Sequence, residues 1–461
     1  MAKDVVELSV AELRAAYRSR ELSPVDVTRA FLDRIERTDE SLHAFTTVTA
    51  ELALSQAAEA ARREVADDPV GPLNGVPVAI KDAFHVAGVP TTLGSLVHRD
   101  HVAKTDSGVV RRLRAAGAVF TGKTSTAEFG QSATSDNLLG PDAANPWDPT
   151  RTPGGSSGGA AVAAAARLST VAVGSDGGGS IRIPAAFCGI FGVKPSPGLC
   201  PDEKGFRAMT DFVSPGPMTS TVADARVVLG VLADRSFARS TRAPLRIAYC
   251  ARPEGRPVDS GVAKAVDHAA RVLEQLGHDV IDTDLPLQGW NDVFGPLVLE
   301  DEHRERGHLL DYAADQLTRY ERSSLRAALK LDAGQVQNAR ERLPQYRRRI
   351  AELFDRYDVL LTPTVAVPAF PLNERPTHID GAKVDQLWGP FPFTVPFNVA
   401  GVAAASTPCG LADGLPVGAQ LVTANGAEAL LLDVCEDLEE GLAFDWSAVA
   451  GRWTNDRSPA P

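Results

Sequence analysis

From Gly154 to Ser180 the chain reads as two glycine-rich bends joined by a helix and a strand. The first is Gly154-Gly155-Ser156-Ser157-Gly158-Gly159 and the second is Gly174-Ser175-Asp176-Gly177-Gly178-Gly179-Ser180. Between them Ala160 to Ala166 offers small side chains of high helix propensity, and Leu168 to Val173 is an apolar strand. The order is loop, buried helix, apolar strand and a second loop ending in Ser180. Glycine lets a backbone take positive φ and approach a ligand, so consecutive N–H groups can converge on one oxygen. A serine beside such a nest is what acyl transfer requires.

The rest of the composition narrows the class. With 47 Lys and Arg against 59 Asp and Glu, the net charge is −12. Arg340 to Arg349 is interleaved with Glu341 and apolar residues and reads as a solvated helix face, so no nucleic-acid partner is expected. Five scattered cysteines without a C-x-x-C pair imply neither a disulfide framework nor a zinc knuckle. The first residues lack an apolar signal core and no run reaches the roughly 18 apolar residues of a membrane span, so a cytoplasmic protein is expected.

Along the chain, residues 1–66 read as helical. Ser9-Val10-Ala11-Glu12 makes a capping box, and Ser23-Pro24 an N-cap followed by proline at the first helical position. Residues 67–250 form the catalytic core, with strands at Val76 to Ile80 and Ala118 to Thr121, a helix from Ser107 to Ala116 and another capped by Thr221. Residues 255–355 are helical and charged, an insertion with little strand character after Val280. Residues 356–445 return to the core through Val359-Leu360-Leu361, Gly418 to Val422 and a helix from Ala427 to Leu438. The pattern predicts one α/β domain, a large mixed sheet covered by helices, carrying a helical insertion.

Three motif readings are weakened by their context. Gly117 to Thr124 fits G-x-x-x-x-G-K-[ST], but a helix precedes Gly117 and Ala118-Val119-Phe120 is itself strand-like, the reverse of a phosphate loop. Gly154-Gly155-Ser156-Ser157-Gly158 fits the nucleophile elbow of Ser-His-Asp hydrolases, yet a proline-rich loop stands where the elbow's strand belongs. That reading, with Ser156 as nucleophile, stays as an alternative. His303 and His308 are spaced by five, not the four of a zinc helix, and no metal site is expected.

The stretch Gly154 to Pro195, above all Ser175-Asp176-Gly177-Gly178-Gly179-Ser180-Ile181-Arg182-Ile183-Pro184, resembles the signature of the amidase signature family. Gly75 to Asp82, Gly122 to Glu128, Asn145-Pro146-Trp147, Asp358 to Thr364 and Gly414 to Leu421 resemble further blocks of it. The family usually has one non-glycine residue where Gly177 stands, and the glycine implies a more flexible loop. The resemblance implies that Ser180 is the nucleophile, that Ser156, joined to Gly155 by a cis peptide, relays its proton, and that Lys81 is the base. Sequence alone does not pair Lys81 with serines 75 and 99 residues away. A free lysine is only about 0.1% neutral near pH 7.4, so a basic Lys81 must be desolvated. The N–H groups of Gly177, Gly178, Gly179 and Ser180 would hold the oxyanion, with Asp176 and Arg182 bracing the loop.

The resemblance therefore implies a cofactor-free serine hydrolase, a monomer or homodimer, that cleaves C–N bonds of small amides through an acyl-enzyme, with carbamates and esters also within reach. The alternative from another class is the glutaminase subunit of a tRNA-dependent amidotransferase. Gln131, Ser132, Trp388 and Phe391, with Trp290 and Phe294, are the candidate pocket residues, favouring aryl or bulky apolar substrates.

Overall fold

The computed structural model describes residues 4–240, 244–450, 452 and 453. Among them eleven strands form one mixed sheet, in the spatial order β1, β3, β2, β4, β6, β5, β12, β13, β9, β7, β8. In chain order these are β1 (Phe45–Val48), β2 (Pro77–Lys81), β3 (Val119–Thr124), β4 (Val171–Asp176), β5 (Phe191–Lys194), β6 (Ser214–Thr219), β7 (Arg246–Tyr249), β8 (Asp279–Asp282) and β9 (Val359–Pro363). A separate hairpin, β10 (His378–Ile379) and β11 (Ala382–Lys383), precedes β12 (Ala403–Ala412) and β13 (Leu415–Thr423). The strands flanking the centre are buried along their whole length, β2, β3, β5, β6, β9 and β13 without a half-exposed position. Burial on both faces requires the continuous apolar or small-residue runs seen in them.

Of helices α1 (Val10–Ser19), α2 (Pro24–Leu42), α3 (Ala50–Val65) and α4 (Gly108–Ala115), α2 and α3 pack on β3. The Ser9 capping box is present, with the Ser9 hydroxyl accepting from the Glu12 N–H and Glu12 from the Ser9 N–H, and Ser23 caps α2. The helical reading of residues 1–66 misses β1, which pairs antiparallel with β3 at the sheet edge. Its Phe45-Thr46-Thr47-Val48 run is aromatic and β-branched, as pleated edges favour.

Helix α5 (Gly158–Ala165) is buried on every side, and its glycines and alanines are the reason it fits: a Cβ on Gly159 would come within 2.4 Å of the Ala44 carbonyl oxygen. β4 begins three residues later than the apolar run Leu168–Val173 predicts, because Arg167 takes a left-handed turn (φ 56°) and the chain re-enters the sheet only at Val171. Ser175 and Asp176 thereby end a strand instead of lying in a loop. After α6 (Arg182–Cys188) and α7 (Val222–Ala233), helix α8 (Ser260–Gln275) packs on β12, and β8 extends the sheet beside β7. Departure from the sheet therefore starts near Asn291, not at 255. It comprises α9 (Asn291–Arg306), α10 (Leu309–Tyr312), α11 (Arg319–Ala328) and α12 (Ala333–Ala351), with α11 and α12 packing on α9. α13 (Val395–Ala400) and α14 (Glu428–Leu442) complete the core.

The segment that mimics a phosphate loop is strand: Gly122, Lys123 and Thr124 close β3, and Lys123 Nζ lies 2.7 Å from Asp82 Oδ1, with both side chains inaccessible to solvent. The five cysteines are free and buried. Among the described residues no helix is long and apolar enough to cross a membrane. Removing one member of a buried ion pair strands the other, so Asp82→Ala is expected to lower unfolding free energy by about 3–5 kcal/mol. Urea unfolding read by circular dichroism measures it.

Candidate active site

Parallel pairing of β2 with β4 puts their carboxyl ends side by side, in the register Val78 to Val171 and Ile80 to Val173. Open α/β sheets place ligands at such strand ends. Lys81, the last residue of β2, is buried, and its Nζ stands 2.7 Å from Ser156 Oγ, 3.0 Å from Ser175 Oγ and 3.5 Å from the Ser175 carbonyl oxygen. Burial pulls the amine down to about 7, outweighing the opposing attraction of Asp176. No carboxylate touches it among the described residues. A neutral amine here donates to the Ser175 oxygens and keeps its lone pair for the Ser156 hydroxyl proton.

The Gly155–Ser156 peptide is cis. Gly155 is packed so tightly that a Cβ would lie 2.4 Å from the Thr134 carbonyl carbon and oxygen. Ser135 Oγ donates to the Gly154 carbonyl oxygen and accepts from the Gly158 N–H, fixing both ends of the bend. The second bend is joined to the first by the Ser157 N–H, which donates to the Ser180 carbonyl oxygen (3.2 Å). Ser180, 8% exposed, stands between β4 and α6.

Beneath Ser180 lies a buried ion pair. Arg182 Nε and Nη2 each donate to Asp176 at 2.9 Å, and the guanidinium also donates to Gln420 Oε1, Asn398 Oδ1 and the Thr394 carbonyl oxygen. Burial pushes the Asp176 carboxyl up, but the Arg182 guanidinium beside it prevails and holds it far below the usual carboxylate range. Asp176 then accepts the N–H groups of Gly179 (2.7 Å) and Ile181 (3.3 Å). This corrects the four-donor oxyanion nest: the Gly179 N–H faces inward, and the groups without a protein acceptor among the described residues are those of Gly177, Gly178 and Ser180. A Cβ at Gly177 would meet Met209 Sδ, the movable end of a side chain, at 2.5 Å.

The pocket candidates separate. Trp388 stacks edge-on against Trp290 (5.4 Å) and Phe294 (5.8 Å), and the Phe294 ring lies 3.2 Å from where a Gly178 Cβ would stand. Phe391 instead is fully buried between Phe187 and Phe370, a core residue and no wall of the site. Gln131 is buried, its amide donating to Glu302 and accepting from Arg306, both on α9. Burial, then repulsion from Glu321, pushes the Glu302 carboxyl up to about 8. Ser132 Oγ accepts from Arg375 Nη2 at 2.7 Å. Sequence reading missed Ser175, Thr394, Asn398 and Gln420. Only Ser175 carried a signal, its place beside Asp176 in the second bend.

The family model described as Amidase matches residues 26–432. The chain is 35% identical to a glutamyl-tRNA(Gln) amidotransferase subunit of Carboxydothermus hydrogenoformans, over 95% of this chain and 98% of that one. It is 32% identical to an acylamidase of Rhodococcus erythropolis, over 94% and 95% of the two chains. Its fold superposes on a bacterial aryl acylamidase of the amidase signature family with a TM-score of 0.89 and 28% identity, covering 97% of this chain and 99% of that one. The chain thus belongs to the amidase signature family, hydrolases of C–N bonds.

Gly179 has φ 125°, and a Cβ there would stand 2.3 Å from Thr394 Oγ1. Gly179→Ala is expected to cost about 1–3 kcal/mol of stability and, by displacing its neighbours, about 10²-fold in hydrolytic kcat. Thermal melts and steady-state kinetics on one sample separate the two effects.

Proposed function

We propose that the chain is a stand-alone amide hydrolase that forms an acyl-enzyme on Ser180, with Ser156 relaying the proton to Lys81. The observation that carries this reading is the buried, carboxylate-free Lys81 amine 2.7 Å from Ser156 Oγ. Ser180 Oγ attacks the carbonyl carbon while its proton passes to Ser156 Oγ and the Ser156 proton passes to the Lys81 lone pair. The developing oxyanion faces the N–H groups of Gly177, Gly178 and Ser180, each such donor being worth about 10²–10³ in rate. The intermediate collapses as the leaving amine takes the proton back along the same path. Water then repeats the sequence to release the acid and restore Ser180.

The aromatic group of Trp290, Phe294 and Trp388 beside Gly178 supports aryl or bulky apolar amides as substrates. Carbamates and esters present the same carbonyl chemistry and should react where they fit. A second reading, a glutaminase subunit that works within an amidotransferase, is favoured by the 35% identical relative. It predicts ammonia release from L-glutamine and indifference to anilides.

A small fluorophosphonate is expected to label Ser180, read by peptide mapping, and Ser180→Ala to abolish both label and turnover. Label on Ser156 alone would sink the assignment. Because Lys81 must be neutral to accept a proton, kcat/KM on an anilide should rise with pH through about 7 and then level off. Lys81→Met should lower kcat/KM at least about 10³-fold at every pH, the usual scale for losing a general base together with its positioned relay. A profile of unchanged shape in a weakened Lys81→Met enzyme would assign the titration to another group.

A further inference from the structure

Ser156 is gripped from behind by a short turn. The Ala127 N–H donates to the Ser156 carbonyl oxygen (3.2 Å), and a Cβ on Gly130 would stand 3.5 Å from Ser156 Oγ. Within the turn Phe129 (φ 49°) and Gly130 (φ 72°) are both left-handed. A phenylalanine keeps that conformation only where its surroundings hold it. Gln131 follows directly and ties the turn to the helical excursion: its amide donates to Glu302 and accepts from Arg306 Nη2 at 3.2 Å.

These groups belong to a buried polar cluster that the reaction itself does not use. Arg306 Nε donates to Glu321 of α11 (3.0 Å), and Arg306 Cζ lies 4.8 Å from the Phe129 ring centre and 5.8 Å from that of Phe206. Glu128 accepts from the Ser95 hydroxyl (2.6 Å) and from the Thr318 N–H (2.7 Å). The second oxygen of Glu302 bonds the Ser324 hydroxyl. Three buried carboxylates, Glu128, Glu302 and Glu321, thus share one buried cation, Arg306. The remaining neighbours are already engaged or uncharged. Tyr320 faces Glu302 from α11 with Arg375 over its ring, and Asp301 on α9 is held by Thr210 and Arg304. From α12, Arg340 pairs with Glu300 and Arg342 with Asp292, while His98 lies on the far side of Phe129.

Glu302 is touched by no cation among the described residues, and Arg306 is spent on Glu321. A buried charge left in that position is expensive, so the carboxyl keeps its proton up to about 8. As an acid it can donate to Ser324 while accepting from Gln131. As an anion it would face Glu321 with no counter-ion of its own.

Resting on the Lys81–Ser156–Ser180 reading above, we propose that Glu302 is a positioning residue: uncharged, it holds Gln131 and with it the turn that backs Ser156, and its ionisation releases that turn. It touches neither substrate nor the reacting atoms. The plateau that Lys81 sets in the pH profile then ends where Glu302 loses its proton.

The test follows kcat/KM on one anilide from pH 6 to pH 10. Wild type should fall about 10–100-fold between pH 8 and pH 10, the scale of a displaced catalytic group behind a single ionisation. Glu302→Gln is uncharged throughout and makes the same hydrogen bonds, so its plateau should persist to pH 10. Gln131→Met cuts the link and should lose about 10²-fold already at pH 8, with no further fall above it. Comparing rates within each enzyme cancels a general loss of folding. Melting temperatures give a readout without turnover. The unfolded chain gives up the Glu302 proton at lower pH than the fold does, so wild-type stability from this group declines from the ordinary carboxylate range up to about pH 8. The melting gap between Glu302→Gln and wild type should therefore widen in favour of the variant from pH 5 to pH 8, and a gap independent of pH would overturn the proposal. The rate at which a small fluorophosphonate labels Ser180 should show the same alkaline fall, whatever substrate the enzyme takes. A fall in labelling that Glu302→Gln abolishes, with no anilide hydrolysed, would uphold Glu302 and defeat the amide-hydrolase reading. Anilide hydrolysis that stays level to pH 10 in wild type, or whose fall survives in Glu302→Gln, would overturn the role of Glu302 and leave the hydrolase standing.

Discussion

The Asp176–Arg182 pair is the fixture on which the site hangs. Two charges excluded from water are tolerated only when every remaining donor and acceptor is matched. Here Gln420, Asn398 and Thr394 supply the matches from β13, α13 and the turn before it. The pair thereby binds the second bend to parts of the chain more than 200 residues away. It also captures the Gly179 N–H, while those of Gly177, Gly178 and Ser180 keep no protein acceptor among the described residues. Bracing and aiming are thus one arrangement.

A second constraint comes from the sheet. Lys81 and Ser175 meet because β2 and β4 run parallel and end together, while the tightly packed α5 lets the first bend close over them. The lysine is then inserted where, among the described residues, nothing of opposite charge touches it. Its low basicity is a product of position, and the same residue at an exposed strand end would be an ordinary ammonium.

Much of this was legible in the residues. Capping at Ser9, Ser23 and Thr221 follows from local hydrogen bonding and reads directly from short patterns. The two bends announced themselves by glycine, and Asp176 and Arg182 by their place next to them. Local patterns did not show β12, whose Ala403-Ala404-Ala405-Ser406-Thr407-Pro408 run has no alternation and a single β-branched residue, Thr407, and is a strand because β5 and β13 flank it. Nor did they separate Trp388 from Phe391, three residues apart, since only tertiary packing sends one toward Gly178 and the other toward Phe187. The inward Gly179 N–H was equally invisible, being set by a side chain three residues earlier.

The helical excursion after Asn291 shares an apolar cluster with Leu360, Val395, Phe397, Ala404 and Val422 of the core and reaches the second bend where Phe294 lies against Gly178. Lys81, Ser156, Ser175 and Ser180 all belong to the sheet and its bends. On the proposed reading, the reacting groups and the selectivity are then encoded in separate stretches of polypeptide. Exchanging the excursion for that of a relative would therefore have to carry its apolar partners in the sheet and α13 with it, because the two stretches share one packed cluster.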